Sequence, residues 1–156
     1  MPAEQNILDK IGRISPHSIE AEEGVLGCML INSESVPKAI QLINSKSFYN
    51  SHNAIIFNNM VELFEKNKNI DYISLTEQLK KNKQLKLIGG SYFITGLSNN
   101  APSAHNVEYY AQIVKEKEIL RRIISVAIDI STEAYESNDD ASNILDKDEQ
   151  ILFNVS

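Results

Sequence analysis

Residues 106–138 run for about thirty positions without a proline or glycine, well past the usual three or four helical turns, and predict one long helix. At 100° per residue, Ile119, Ile123, Val126 and Ile130 share one apolar stripe. Tyr110, Ile113, Leu120, Ile124, Ala127, Ile128 and Tyr135 lie beside it, so the apolar arc is roughly 200° wide, twice what a helix resting on a single core needs. Downstream of the turn-and-cap cluster Ser137, Asn138, Asp139 and Asp140, residues 141–155 place Ile144, Leu145, Ile151, Leu152 and Val155 at helical spacing, with Asp148 as a charged interruption. Two helices joined by so short a connection fold back as an antiparallel hairpin. One mate covers one stripe, and the other requires the rest of the chain, a second copy or a different protein.

The upstream pattern predicts several shorter helices. Ser18 can cap a helix whose first turn carries Glu20, Glu22 and Glu23, acids favoured there by the helix dipole. Ile19, Val25, Leu26, Met29 and Leu30 give that helix its buried face. Gly24 and Gly27 inside it cost about 1 kcal/mol each relative to Ala, which predicts close approach by a neighbouring helix. Residues 36–43 read as a short helix with Pro37 in its first turn, and Phe48 and Tyr49 as an apolar plug. Residues 51–67 read as a helix with Ile55, Ile56, Met60, Val61, Leu63 and Phe64 inward. Ile70 to Ile73 reads as an extended connector, after which Ser74 and Glu77 match a capping box opening a helix to about Lys81. Gly89 and Gly90 form a turn, and Ser91 begins a last short helix through Leu97. The expected fold is all-α: a flexible arm over 1–15, a compact multi-helix head over 16–102 and a long antiparallel helical hairpin over 103–156.

Composition narrows the function. A hydrophobic share of 42% and a charged share of 23% are those of an ordinary globular protein. A net charge of −6 argues against direct strong binding to DNA, which requires an excess of Lys and Arg. The basic run Lys80, Lys81, Lys83 and Lys86 falls at a helix end, where the dipole accounts for it. No apolar run approaches the about 20 residues of a membrane span, and the first residues carry Glu4, Asp9, Lys10 and Arg13 in place of a signal-peptide core, so a cytoplasmic protein is expected. The single cysteine, Cys28, excludes an internal disulfide and falls in an apolar pattern that predicts a buried thiol.

Nothing in the residues points to catalysis. His17, His52 and His105 each stand without a second ligand at metal spacing, and no G-x-x-x-x-G-K-[ST] loop is present. The acidic pairs Glu22 and Glu23, Asp139 and Asp140, and Asp146 and Asp148 read as caps or solvated faces. No catalytic, cofactor or metal site is expected in this segment, which reads as a binding and assembly unit.

The run Pro16, His17, Ser18, Ile19, Glu20, Ala21, Glu22, followed by Val25, Leu26 and Gly27, resembles the amino-terminal (collar) domain of DnaB-type replicative DNA helicases. Phe48-Tyr49, His52 with Ile56-Phe57, Ile70-Asp71, Leu79, Ile88-Gly89-Gly90 with Tyr92, Ala101-Pro102-Ser103-Ala104, Asn106, Tyr110-Ala111, Ile113-Val114 and Arg121 extend the resemblance in order along nearly the whole chain. Asn69 departs from it, standing where a proline is frequent.

The resemblance implies an ATP-driven hexameric helicase moving 5′ to 3′ on single-stranded DNA. Its linker and RecA-like motor, with ATP and Mg, are expected beyond residue 156. The collar's implied partners are itself, as dimers and a trimer of dimers, together with primase and in some lineages a helicase loader. On this reading Ile119, Ile123, Val126 and Ile130 are the expected hairpin-to-hairpin contact, with Ile124 between the stripes. Tyr92 and Glu20 are expected in head-to-head or primase contact. The alternative is a free-standing helical adaptor, such as a loader or replication regulator, that never had a motor.

Overall fold

A computed structural model of the chain describes residues 13–101 and 106–155. Among them the regular structure is entirely helical: α1 (Ile19–Ile31), α2 (Ser35–Leu42), a 3-10 turn (Ser45–Ser47), α3 (Ser51–Glu65), α4 (Tyr72–Lys81), α5 (Gly90–Asn99), α6 (Val107–Glu136) and α7 (Ala141–Phe153). Most of the expected arm, together with residues 102–105 and hence His105, lies outside the described residues. The chain divides into two compact units, a head of His17–Glu116 and a second unit from Lys117 onward with the described residues before His17. The head reaches beyond the expected residue 102 because the first turns of α6 supply Val107, Ala111 and Val114 to its core.

The head is built around α1. Ser18 accepts the Ala21 N–H at 3.2 Å, satisfying one of the donors a helix start leaves free. From Ala21 to Leu30 only Glu23 escapes full burial, and Cys28 lies at the centre with Val25, Leu26 and Met29. Such all-round burial requires neighbours at short range. A Cβ placed on Gly24 would lie 3.1 Å from the Tyr110 ring, and one on Gly27 would lie 2.6 Å from the Leu97 carbonyl oxygen. The start of α6 and the end of α5 therefore close on α1 through its two glycines, as their pattern predicts.

Two local expectations are corrected. Residues 72 and 73 are helical, not extended, because α4 is capped by Asp71. Its Oδ1 accepts the Ser74 N–H at 2.8 Å while Ser74 Oγ accepts the Asp71 N–H at 2.9 Å. Asp caps as well as Ser does, and the earlier start makes Ser74 the third helical residue, not the cap. Phe64, expected inward, is open to solvent; it shares a side of α3 with Phe57 and Met60 but falls in the last turn, beyond the buried residues, which end at Leu63. Gly89 and Gly90, with φ of +105° and +77°, make the turn into α5 in a region that side chains disfavour.

In the second unit, α6 and α7 form the hairpin. Lys147 Nζ donates to Glu133 Oε1 at 2.9 Å, and Arg122 Nη1 donates to the Val155 carbonyl at 3.1 Å, pairing the two helices in antiparallel sense. Arg121 Nη1 reaches the Pro16 carbonyl at 2.8 Å. The buried hydrophobic side chains of the described residues end at Val114, and the buried residues of the hairpin are the charged Glu118 and Asp148.

Candidate assembly and docking surfaces

Beyond Val114 the hairpin's apolar residues are all at least partly open. Ile119, Ile124, Val126 and Ile130 are half-buried, while Ile123 is 44% exposed and Leu120 39%. The cross-hairpin bonds of Glu133 and Arg122 leave α6 about 40° and 60° to one side of Ile119, so α7 lies on the Ile119, Val126 and Ile130 side. Leu120 and Ala127 fall about 80–100° to the opposite side, and Ala127 and Ala134 are exposed with them. Leu120, Ile123, Ala127 and Ala134 are spaced by three, four and seven residues, the steps of a helix-to-helix seam. On α7, Leu145, Leu152 and Phe153 are exposed as well, Phe153 at 82%. The covered stripe is thus the one holding three of the residues expected at the hairpin-to-hairpin contact, with Ile123 at its open edge.

A second surface lies on the head. Between α1 and α5 runs a groove of about 730 Å³, lined by Glu20 and Glu23 from α1 and by Tyr92, Phe93 and Asn99 from α5 among others. None of its lining residues is basic. Tyr92 stands at the rim, 89% exposed. Partial burial pushes the Glu23 carboxyl above its ordinary range, helped by the negative charges of Glu22 and Glu20. The structure therefore brings together Glu20 and Tyr92, which sequence reasoning singled out separately. It adds Glu23 and Phe93, which that reasoning missed. Glu23 is one helical turn beyond Glu20, a same-face signal visible in the sequence; the pairing of α1 with α5 has no local signature.

Glu22 belongs to neither surface. Its carboxylate accepts the N–H groups of Tyr49 and Asn50 and the Asn53 side-chain amide, a fastening inside the head where a cap or solvated face was expected. Burial pushes the Cys28 thiol pKa up, which disfavours the reactive thiolate. Among the described residues no three His, Cys, Asp or Glu side chains gather as metal ligands, and no helix is long and apolar enough to cross a membrane.

Comparison with known proteins bears on what these surfaces serve. The sequence profile of the DnaB-like helicase N terminal domain matches residues 14–116. The replicative DNA helicase DnaB of Rhodothermus marinus is 37% identical over 145 residues, covering 93% of this chain and 15% of the relative. That of Geobacillus stearothermophilus is 35% identical over 144 residues, covering 92% of this chain and 32% of the relative. The chain thus spans about a third or less of the length of these relatives. The crystal structure of the N-terminal domain of DnaB helicase from Mycobacterium tuberculosis superposes with a TM-score of 0.85 at 24% identity, covering 90% of this chain and 100% of that one. With a match over most of its length to that profile and a fold shared with that domain, the chain belongs to the DnaB-like helicase N-terminal domain family.

Proposed function

We propose that the chain serves as the amino-terminal assembly domain of a cytoplasmic replicative helicase. ATP-dependent 5′ to 3′ unwinding, with its ATP and Mg, is assigned to a motor domain outside these residues. The hairpin pairs with the hairpin of a second copy. Ile123 and Leu120 lie at the centre of the contact, Ala127 continues it, and Ile119, Ile124, Val126 and Ile130 flank or support it. Such dimers are the units of a trimer of dimers in the hexamer. The groove holding Glu20 and Tyr92 takes part in docking primase, or a loader where one operates. Phosphate binding is left to other parts of the protein, since this segment carries a net charge of −6.

The observation that carries this reading is the apolar hairpin with no buried hydrophobic side chain beyond Val114 among its described residues. A two-fold pairing buries the same ridge on both copies, and apolar area contributes roughly 25 cal/mol per Å² removed from water. Sedimentation equilibrium of the chain tests it directly. Dimers or larger species at micromolar concentration are expected, with Ile123→Asp and Leu120→Asp shifting them to monomer while helicity is kept. A chain that stays monomeric at high micromolar concentration overturns the assignment.

A further inference from the structure

The seam between α6 and α7 buries an acidic side chain. Asp148 is 7% exposed, the sole buried residue of α7. Its Oδ1 has no hydrogen-bond partner among the described residues. Ile144, Ile151 and Val155 lie within about 60° of it on the helix, so it occupies the middle of the face turned to α6. The bonds Lys147 to Glu133 and Arg122 to Val155 bracket it on either side. A buried acceptor without a donor weakens the contact that buries it. The polar bonds across the seam do little to offset this, because Lys147 and Arg122 are largely solvent-exposed and such pairs contribute little.

The geometry points to α7 as a hinged cover whose closure on α6 is held at low stability by Asp148. It opens at the turn around Ser137 to Asp140 while the head stays folded. Three features fit this. The apolar side chains of α7 are all half-buried or exposed. The turn is held by short-range bonds alone, the Asp139 N–H to Ser137 Oγ at 3.1 Å and the Asn143 amide to Asp139 Oδ1 at 3.1 Å, which survive a swing of the helix. Once detached, a helix of 13 residues is too short to persist in water, so opening unfolds α7 and frees its amides. Opening also uncovers Ile119, Val126 and Ile130, so the open form presents both apolar stripes of α6 at once. Asp148 thereby sets how often the wider face is offered.

Hydrogen exchange on the whole chain tests this, at a concentration where sedimentation shows a single species. Amides of α7 are expected to exchange faster than those of α3. Asp148→Leu removes the orphan acceptor and is expected to slow α7 exchange by ~10- to 100-fold, leaving α3 unchanged. Lys147→Ala is expected to speed it by up to about fivefold. If Asp148→Leu does not give a helical chain, Asp148→Asn, which removes the charge at nearly constant shape, is expected to slow exchange by several-fold instead. Protection of α7 equal to that of α3 in the unaltered chain overturns the proposal. So does Asp148→Leu, or Asp148→Asn in its place, leaving α7 exchange unchanged or faster.

Discussion

The Glu22 carboxylate accepts the backbone N–H of Tyr49 at 2.9 Å across 27 positions of sequence. Its other oxygen accepts from Asn50 N–H at 3.2 Å and Asn53 Nδ2 at 3.1 Å. One buried side chain thus ties the first turn of α1 to the start of α3, where free N–H groups and the helix dipole both favour an anion. Above it, Tyr49 stacks on His17 with ring centroids 4.1 Å apart.

Removing that charge should loosen the head. Glu22→Gln keeps the shape but offers a neutral acceptor and an unwanted donor, and is expected to cost about 1.5–3 kcal/mol. Glu22→Ala also leaves three donors unsatisfied and should cost more, of order 3–5 kcal/mol. Urea denaturation followed by circular dichroism measures both. A loss under 0.5 kcal/mol, typical of a surface substitution, would show that the three bonds carry no net stability.

Two glycines make a matched pair. A methyl at Gly27 meets the Leu97 carbonyl at 2.6 Å, whereas one at Gly96 meets nothing nearer than Asn100 Nδ2 at 4.0 Å. Gly27→Ala is therefore expected to destabilise by about 1–3 kcal/mol through overpacking against main chain. Gly96→Ala should stabilise by roughly 0.5–1 kcal/mol, because alanine loses less backbone freedom in a helix. Thermal melts of the two variants should move in opposite directions. Shifts of the same sign would mean that α1 and α5 do not meet at Gly27.

Glu23 gives the head a pH dependence of defined sign. Its pKa is raised in the folded state, first by desolvation and then by Glu22 and Glu20. Between the unfolded and folded values the folded chain binds more protons, so this residue's contribution to stability is present below the unfolded pKa and is lost as pH rises through the folded one. Because Glu23 lines the groove between α1 and α5, where solvent screens it, the effect is small, a few tenths of a kcal/mol. Glu23→Gln should melt slightly higher than the parent at neutral pH and at the same temperature in acid below the carboxylate range. Equal melts at both pH values would remove the proposed repulsion.

The sequence made some of these features legible and hid others for physical reasons. Amphipathic periodicity locates α3, α6 and α7, because the spacing of their apolar residues records the side turned inward, whereas α1, buried nearly all round, is marked by its cap and its apolar run. Gly24 and Gly27 announced a close neighbour, because glycine inside a helix is unfavourable without one. The start of α4 is ambiguous in the sequence, since Asp71 and Ser74 are both good caps three residues apart and local preference does not choose between them. Glu22 looked like one more solvated acid. Its partners lie 27 to 31 positions away, beyond α2 and the 3-10 turn, and nothing near it in sequence marks three donors converging. The groove with Glu20 and Tyr92 was half visible, in its residues but not in their meeting, which depends on how α5 returns to α1. Asp148 appeared as a break in an apolar pattern, and only the packed hairpin shows the break turned inward.

The lone cysteine also turns out to be useful. Cys28 sits in α1 with no solvent exposure, and the sequence holds no other thiol. A sulfhydryl reagent added to the native protein can therefore modify it only when the head opens. The labelling rate becomes a clock for head opening that is blind to motion of the hairpin, and it reads separately the two halves of a molecule that spectroscopy of helices would average together.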